Sequence, residues 1–485
     1  MPSASKSIPP PRMKLSTLKL STLFIGTLAL GGCATFSRDG GFGSVEKAAA
    51  ERLGKDLRWA RSDDERNSIE ARVRELLARP LSVEDAVQVA LLNNRGLQAA
   101  YFELGISEAD LVQAGRLPNP HFSMLRVSAP VNGVREYKIE QALTLNVFAL
   151  ITMPMAVGVE KRHFEQTQRQ VAMDVLRLVA ETRTAYFTAV AADETLRYMR
   201  KVRQAADAGA ELARRMALVG NFSKLRQARE QAFYADATLN LARAEQAQTA
   251  AQERLTRLLG LGGSQAFKLP ERLPELPQTP DDLPNVEQIA MEQRLDLQAV
   301  RFETEALASN LGLTKATRFI NLLEFGPARV LEGHKSDPYK KGYEISFELP
   351  LFDWGGARVA KAEAIYMQAV NRAAEMAVNA RSEVREAYQG YRSGYDIARH
   401  YRDEIVPVSQ RIADENLLRY NGMLIGVFDL LADARAQIAS VNSYIESLRD
   451  FWIAQSDLRM ALVGKAFLPA APRAALAGAQ DRPGH

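Results

Sequence analysis

The sequence predicts a mostly α-helical fold with a small transmembrane β-barrel, built from two structural repeats of helix, strand, strand and helix. Three observations lead to this prediction: pairs of two-faced strands, two very long helices, and the same order of elements in both halves of the chain. The stretch from Tyr343 to Leu351 shows the strand pattern best, because its apolar residues alternate with Glu344, Ser346 and Glu348. A period of two places these sets on opposite faces of a strand.

The bulk composition excludes several classes of protein. The chain has 485 residues, of which 47% are hydrophobic and 25% charged, an ordinary globular balance. Its 62 Lys and Arg and 58 Asp and Glu residues are interspersed, so no basic patch for nucleic acid is predicted. Beyond the N-terminus no apolar run approaches the about 20 residues of a spanning helix, so a membrane span would have to use strands. Five scattered histidines form no metal-ligand pair at helical spacing, and no catalytic constellation, cofactor site or metal site is predicted.

The N-terminus has the features of an export signal. A short basic region with Lys14 and Lys19 precedes an apolar run, and Gly31 and Gly32 then lead to Cys33, the single cysteine. This pattern resembles a bacterial lipobox, whose cysteine is lipidated and becomes the mature N-terminus. We therefore predict a lipoprotein signal peptide at 1–32 and an acyl anchor on Cys33. The sequence leaves open whether translation starts at Met1 or Met13.

The rest of the chain divides at Gly- and Pro-rich segments. The predicted segments are an N-terminal linker at 33–80, a first repeat at 81–265, a Pro-rich linker at 266–285, a second repeat at 286–465, and a flexible tail at 466–485. The predicted strands are 121–131 and 136–149 in the first repeat, and 319–330 and 343–351 in the second. Asn132-Gly133 between the first two strands is a strong hairpin signal. The long helices end at breaks near 219–223 and 419–426.

The lengths of the long helices predict how the elements combine. Each would run for about 60 to 65 residues, or roughly 95 Å, about twice the width of a compact domain of this size. Such helices must project from their domain as a coiled coil or tube. Four strands cannot close a barrel, because single-chain outer-membrane barrels start at about eight. If the strands form a barrel, the chain must therefore oligomerise.

Several motifs in this order resemble the TolC-like outer-membrane channels of bacterial efflux pumps and type I secretion. They are Leu81 to Ala86, Asn93-Asn94, Pro118-Asn119-Pro120, Arg294 to Leu297, Leu349 to Gly355, and Arg419 to Gly422 followed by Asp429. The resemblance implies a homotrimer whose twelve strands form a barrel in the outer membrane, above a long α-helical periplasmic tunnel. It also implies docking to a periplasmic adaptor and an inner-membrane transporter, and an equatorial position for the N-terminal segment.

The resemblance also suggests site residues for a passive conduit. Asp429 and Asp433 are four residues apart on one helix face, and with Tyr420 they form the candidate periplasmic gate. The exposed turns predicted to contact the adaptor comprise Val219, Gly220, Asn221, Asn421, Gly422 and Met423. The residues predicted to line the barrel lumen are Lys138, Glu140, Glu344, Ser346 and Glu348.

Two functions from different classes remain open at this stage. The first is an outer-membrane channel of a tripartite efflux or type I secretion system, which is not an enzyme. The alternative is a lipid-anchored periplasmic coiled-coil adaptor or scaffold without a pore. The apolar stripe of Tyr343, Ile345 and Phe347 favours the channel, because a soluble adaptor does not need a lipid-facing surface. The exported substrate is not written in the sequence.

Overall fold

A computed structural model describes residues 35–262, 266–319 and 322–465. The side chains of residues 427–429 and 431–434 are also outside the description. The fold is mostly helical, with 69% of the described residues in helices. In the described ranges no helix combines the length and the apolar character that crossing a bilayer would require. The predicted signal peptide, Cys33 and the predicted tail lie outside the described residues.

Eleven α-helices and four strands make up the described chain. In chain order, the helices are α1 (Phe42–Leu53), α2 (Asp63–Leu77), α3 (Val83–Asn93), α4 (Arg95–Ala114), α5 (Val147–Leu218), α6 (Lys224–Leu258), α7 (Val286–Gln293), α8 (Leu295–Ala316), α9 (Gly356–His400), α10 (Val406–Asn421) and α11 (Val427–Val463). The strands are β1 (His121–Val131), β2 (Val134–Asn146), β3 (Leu323–Gly333) and β4 (Lys340–Phe347). The order helix, strand, strand, helix therefore occurs in each half.

The four strands form one antiparallel sheet in the order β1-β2-β3-β4. It belongs to a compact unit formed by the described residues of 35–38, 108–161 and 309–362, which we call the sheet unit. The hairpin between β1 and β2 turns at Asn132 and Gly133, which have φ angles of 49° and 80°. These left-handed angles are those of a type I′ turn, so the Asn-Gly pair sets the register of this hairpin.

The second hairpin differs from the sequence prediction of a strand at 343–351. Strand β4 begins three residues earlier, at Lys340, and ends at Phe347. Its last backbone partner is Leu323, the first residue of β3, so the chain beyond Phe347 has no strand to pair with. Pro350, which has no N–H group to donate, follows shortly after. Glu348 therefore lies outside the sheet, and its predicted place beside Glu344 and Ser346 was wrong.

The second long helix is interrupted by a π-helical segment at Tyr401–Ile405, between α9 and α10. The cause is Pro407, at the start of α10, which has no N–H group and whose ring crowds the carbonyl four residues earlier. One wider turn accommodates the ring and lets the helix continue. The uninterrupted helical pattern of the sequence did not predict this change.

The second compact unit, here the helical unit, is formed by the described residues of 39–107, 162–308 and 363–465. One continuous hydrophobic core fills it, contributed by all the helices from α1 to α3 and by the long helices. Phe451 lies at its centre and is fully buried, with ring centroids 5.5 Å from Tyr391 and 5.9 Å from Tyr395. Gly394 allows α9 to approach α11 closely, because a Cβ there would already lie 3.4 Å from the Phe451 Cα.

The Pro-rich linker has no helix or strand at 266–284, but side chains of the helical unit hold it in place. The Tyr391 hydroxyl accepts a hydrogen bond from the Asp281 N–H at 2.8 Å. The Trp452 indole N–H donates to the Pro274 carbonyl at 3.0 Å. Glu194 accepts from the Leu273 N–H at 3.2 Å. These bonds satisfy backbone groups that a linker without regular structure would otherwise leave unpaired.

A buried ion triad occupies the same unit. Arg294 is 1% exposed and forms a bidentate pair with Asp296, at 3.0 Å from Nε to Oδ1 and 2.6 Å from Nη2 to Oδ2. Its Nη1 lies 2.8 Å from Glu383 Oε2, as an ion pair without hydrogen-bond alignment. Burial alone would lower the pKa of Arg294, but the two carboxylates hold it above its usual value. The Arg294 to Leu297 motif thus has a structural role.

Candidate functional site

The polar side chains of the sheet share one face. Lys138 and Glu140 are two residues apart on β2, and the Lys138 Nζ lies 2.7 Å from Glu140 Oε1. Directly across from Lys138 on β3 is Glu332, and Glu324 on β3 pairs with Ser346 on β4. Because paired residues point to the same side of a sheet, these positions and Glu344 form a single surface, here the polar face. Four of the five residues predicted to line a lumen lie on it.

The opposite surface, here the apolar face, carries aromatic and aliphatic side chains that are exposed in the chain. Tyr343, Ile345 and Phe347 are 73%, 52% and 58% exposed. Phe325 pairs with Ile345 across the strands, and its ring centroid lies 6.0 Å from that of Tyr343. A contiguous apolar surface of this kind marks a site that contacts lipid or another protein.

The sheet is bent so that the polar face is concave. Along β2, Ala142 and Thr144 on the polar face are 5% and 3% exposed, whereas Leu143 and Leu145 on the other face are 45% and 42% exposed. Gly326 makes the bend possible, since a Cβ at this position would lie 1.9 Å from the Leu143 carbonyl oxygen. Glycines at such positions are a known device for curving a sheet.

The first predicted contact turn joins α5 to α6. Gly220 has a φ of 79°, and the Asn221 N–H donates to the Met216 carbonyl at 3.0 Å, which ends α5 in a left-handed cap. The Ser223 hydroxyl accepts from the Arg226 N–H at 3.3 Å and begins α6. Val219 is 70% exposed, and a Cβ at Gly220 would meet nothing within 4 Å. The turn therefore presents an open, partly apolar surface.

The second predicted contact turn joins α10 to α11 and is built differently. Its left-handed residue is Met423, with a φ of 60°, whereas Gly422 has an ordinary φ of −78°. The Met423 and Leu424 N–H groups donate to the carbonyls of Tyr420 and Arg419 at 2.9 and 2.8 Å. Met423 is 93% exposed and Leu424 is 77% exposed. A non-glycine residue in this conformation is strained by about 1 kcal/mol or more.

The candidate gate residues are only partly visible. Tyr420 lies in the last turn of α10 and is 39% exposed. Asp429 and Asp433 lie in the first turns of α11, but their side chains are outside the description. Their role as a gate stays a prediction.

The sequence analysis missed a buried ion pair between α6 and α11. Arg435 Nη2 lies 2.6 Å from Glu230 Oε2, and Glu230 is only 6% exposed. The Arg435 guanidinium also stacks over the Phe233 ring, 4.1 Å from its centroid. Phe233 in turn packs against the small cluster of Val202, Ala206 and Ala237. The sequence around Glu230 gives no sign of this ion pair, because Glu230 is buried and paired only through the packing of α6 against α11.

One family model matches part of the chain. Residues 86–261 match the family model described as outer membrane efflux protein. Over these residues, which are less than half of its length, the chain is similar to the outer membrane efflux protein family. The matched residues run from α3 through the first hairpin and the α5–α6 pair, which include the first contact turn and half of the sheet.

One curated relative is similar to part of the chain. The cobalt-zinc-cadmium resistance protein CzcC of Cupriavidus metallidurans is 25% identical over 285 residues. The match covers 57% of this chain and 64% of that relative, so it spans just under two thirds of the relative's length.

Solved structures show the same fold. The chain superposes on CusC, described for its folding and transmembrane channel formation, with a TM-score of 0.66 and 18% identity, over 79% of this chain and 92% of that one. The outer membrane protein VceC of Vibrio cholerae gives a TM-score of 0.65 at 15% identity, over 78% and 95% of the two chains. At these identities the likeness concerns the fold alone.

Proposed function

We propose that the chain is the outer-membrane channel of a tripartite efflux system and provides a passive export conduit. The observation that carries this proposal is the sheet, which is acidic on its concave face and apolar on its exposed convex face. In an outer-membrane barrel the apolar side meets lipid and the polar side lines the lumen. The finer features are also proposed: a homotrimer with a twelve-stranded barrel, a periplasmic helical tunnel, and a lipid anchor on Cys33.

The charges on the polar face suggest which ions pass most easily. Acidic residues on this face outnumber its lysines; they are Glu136, Glu140, Glu324, Glu332 and Glu344, against Lys138 and Lys340. Rings of carboxylates in a trimer would favour cations. CzcC is named as a cobalt-zinc-cadmium resistance protein, so divalent metal cations are the first cargo to test.

The two contact turns are proposed to dock a periplasmic adaptor, which would connect the channel to an inner-membrane transporter. Their support is the exposed apolar residues Val219, Met423 and Leu424. Val219→Asp and Met423→Asp should abolish export in cells while leaving the helical content and oligomeric state unchanged. Full export by both variants would contradict the docking role.

Planar-bilayer recording with the detergent-solubilised full-length protein tests the channel directly. We expect discrete conductance steps, and a reversal potential in a KCl gradient that indicates cation preference. Glu140→Gln combined with Glu344→Gln should reduce that preference, whereas Glu75→Gln, on an exposed helix surface of the helical unit, should leave it unchanged. A confirmed trimer that never conducts would favour the alternative, a lipid-anchored periplasmic scaffold without a pore.

A further inference from the structure

The apolar face of the sheet carries an uncompensated set of positive charges towards the hairpin turns. The strand register places four basic residues on this face, namely Arg126, Arg135, Arg329 and Lys341. In the paired strands no aspartate or glutamate lies on the same face, since all their acidic residues are on the polar face. All the acidic residues of the paired strands therefore lie on the polar face, and the charged residues of the apolar face are all basic.

Two of these cations are direct neighbours. Arg329 on β3 and Lys341 on β4 are Cα partners in the antiparallel ladder. Like charges directly opposite each other destabilise a sheet. The Arg329 Nε donates to the Gln141 Oε1 at 2.6 Å, and the Arg329 guanidinium lies over the Tyr339 ring, 4.9 Å from its centroid. The acidic residues of the paired strands all lie on the other face, so the described strands offer these two cations no carboxylate. The arrangement calls for a negative charge from outside the chain.

A groove lies at this pair of cations. It has a volume of about 380 Å³, and its lining includes Phe122, Gln141, Leu143, Arg329 and Lys341. The groove thus combines an apolar side with two cations and a neutral amide. This chemistry fits an amphipathic ligand that carries an anionic head next to apolar chains.

The groove borders the exposed aromatic part of the apolar face, and the next row beyond it holds Arg126, Ile139 and the buried Leu331. Below it on the same face are the rows of Tyr343 with Leu143, Ile345 with Phe325, and finally Phe347 with Leu323. Three rows at about 6.7 Å each give roughly 20 Å along the strands, close to the height of the lipid-facing band of outer-membrane barrels. The two cations then fall at the depth of lipid headgroups.

We propose that Arg329 and Lys341 bind the phosphate groups of anionic membrane lipids, with the acyl chains lying on the apolar face below them. The inference rests on the proposed function, because it needs this face to meet a lipid bilayer. Arg126, near the Tyr137 ring at 5.7 Å, extends the positive surface towards the β1–β2 turn. A guanidinium and an ammonium side by side can share one phosphate.

The test compares lipid binding of full-length variants in a non-ionic detergent by native mass spectrometry. The probes are phosphatidylglycerol and phosphatidylcholine with identical acyl chains. The variant is Arg329→Gln with Lys341→Gln, which keeps the hydrogen-bonding capacity of both positions. The matched control is Lys138→Gln with Lys340→Gln, which removes two positive charges from the same sheet but from its polar face.

We expect the parent protein and the control to prefer phosphatidylglycerol by about tenfold or more, since each cation near a membrane surface contributes a severalfold attraction. The Arg329/Lys341 variant should lose that preference. Equal preference in all three proteins, or an equal loss in the control, would overturn the proposal. Displacement of the lipid by millimolar inorganic phosphate would also overturn it, because the site would then be a general anion site.

The same preparations separate this inference from the proposed function. Bilayer conductance without a preference for phosphatidylglycerol would refute lipid binding and leave the channel intact. A clear preference in a trimer that does not conduct would support the lipid site and refute the channel.

Discussion

The helical unit and the sheet unit differ in the exposure of their large apolar side chains. The helical unit buries them in one core, with Phe451 and Tyr391 at 0% and 1% exposure. The sheet unit leaves Phe347 and Tyr343 more than half exposed, and its outer strands β1 and β4 each have an unpaired edge. The helical unit thus has a hydrophobic core within one chain, whereas in the proposed channel the sheet would be covered by lipid and by strands of neighbouring copies.

The largest expected effect is a loss of stability when the ion triad of Arg294, Asp296 and Glu383 in the helical unit is broken. Arg294→Met removes the cation between Asp296 and Glu383 and leaves the buried Asp296 carboxylate and the partly buried Glu383 carboxylate without their shared positive charge. The free energy of unfolding should fall by about 3–5 kcal/mol. Urea unfolding followed by helical circular dichroism measures this change.

The control for this variant is Arg385→Met, whose ion pair with Glu287 is exposed on both sides. It should cost at most about 1 kcal/mol. A similar loss in both variants would mean that the triad has no special role in the core.

The next largest expected effect is on membrane insertion, and it depends on which face of the sheet receives the added charge. Ile345→Lys places a charge on the apolar face and should reduce membrane insertion by about 2–4 kcal/mol if that face meets the bilayer. Ser346→Lys adds the same charge to the polar face and should insert normally. Folding into vesicles, followed by protease protection, distinguishes them. Equal insertion would remove the distinction between the two faces.

A smaller effect is expected from the curvature of the sheet. Gly326→Ala brings a methyl group against the Leu143 carbonyl and should cost about 1–3 kcal/mol as the strands shift. The control is Gly342→Ala on the neighbouring strand, where a Cβ would meet nothing within 4 Å. The temperature at which the oligomer dissociates in detergent gels should fall for the first variant alone. An unchanged temperature would show that the bend is not needed.

The smallest predicted effect is a pH dependence of the helical unit. Asp457 is 9% exposed, and burial raises its pKa from 3.8 to about 6. The Asp457 carboxyl therefore binds its proton more tightly in the native state than in the unfolded state. Ionisation of Asp457 lowers the stability of the fold as pH rises from about 4 to 6, and the loss is constant above that. Asp457→Asn should stabilise the protein by about 1–2 kcal/mol at pH 7 and have little effect at pH 4. An equal gain at both pH values would point to packing instead.

The sequence predicted the elements better than their limits. Strand β1 lies at the predicted residues, because Pro118 to Pro120 and the Asn132-Gly133 turn mark its two ends. Strand β4 was shifted, because Lys340 to Gly342 show no alternation and their pairing with β3 decides that they are strand. Pairing partners are distant in sequence, so a local pattern cannot supply them.

Local sequence patterns also predicted only part of the candidate sites. Polar alternation placed Lys138, Glu140, Glu344 and Ser346 on one face, since a period of two is a local property. It did not reveal the Arg435–Glu230 pair, which exists only because α6 packs on α11. Nor did it show that Met423 takes the left-handed conformation and Gly422 does not.

The central claim is that the two faces of the sheet meet lipid and water. Single cysteines introduced at Tyr343, Glu344, Ile345 and Ser346 test it in full-length protein reconstituted into vesicles, with the parent protein as the control for Cys33. We predict that a membrane-impermeant thiol reagent, applied from both sides of the membrane, modifies Glu344→Cys and Ser346→Cys and reduces conductance, while Tyr343→Cys and Ile345→Cys remain unmodified. Equal modification at all four positions would show that both faces lie in water, and would contradict the channel.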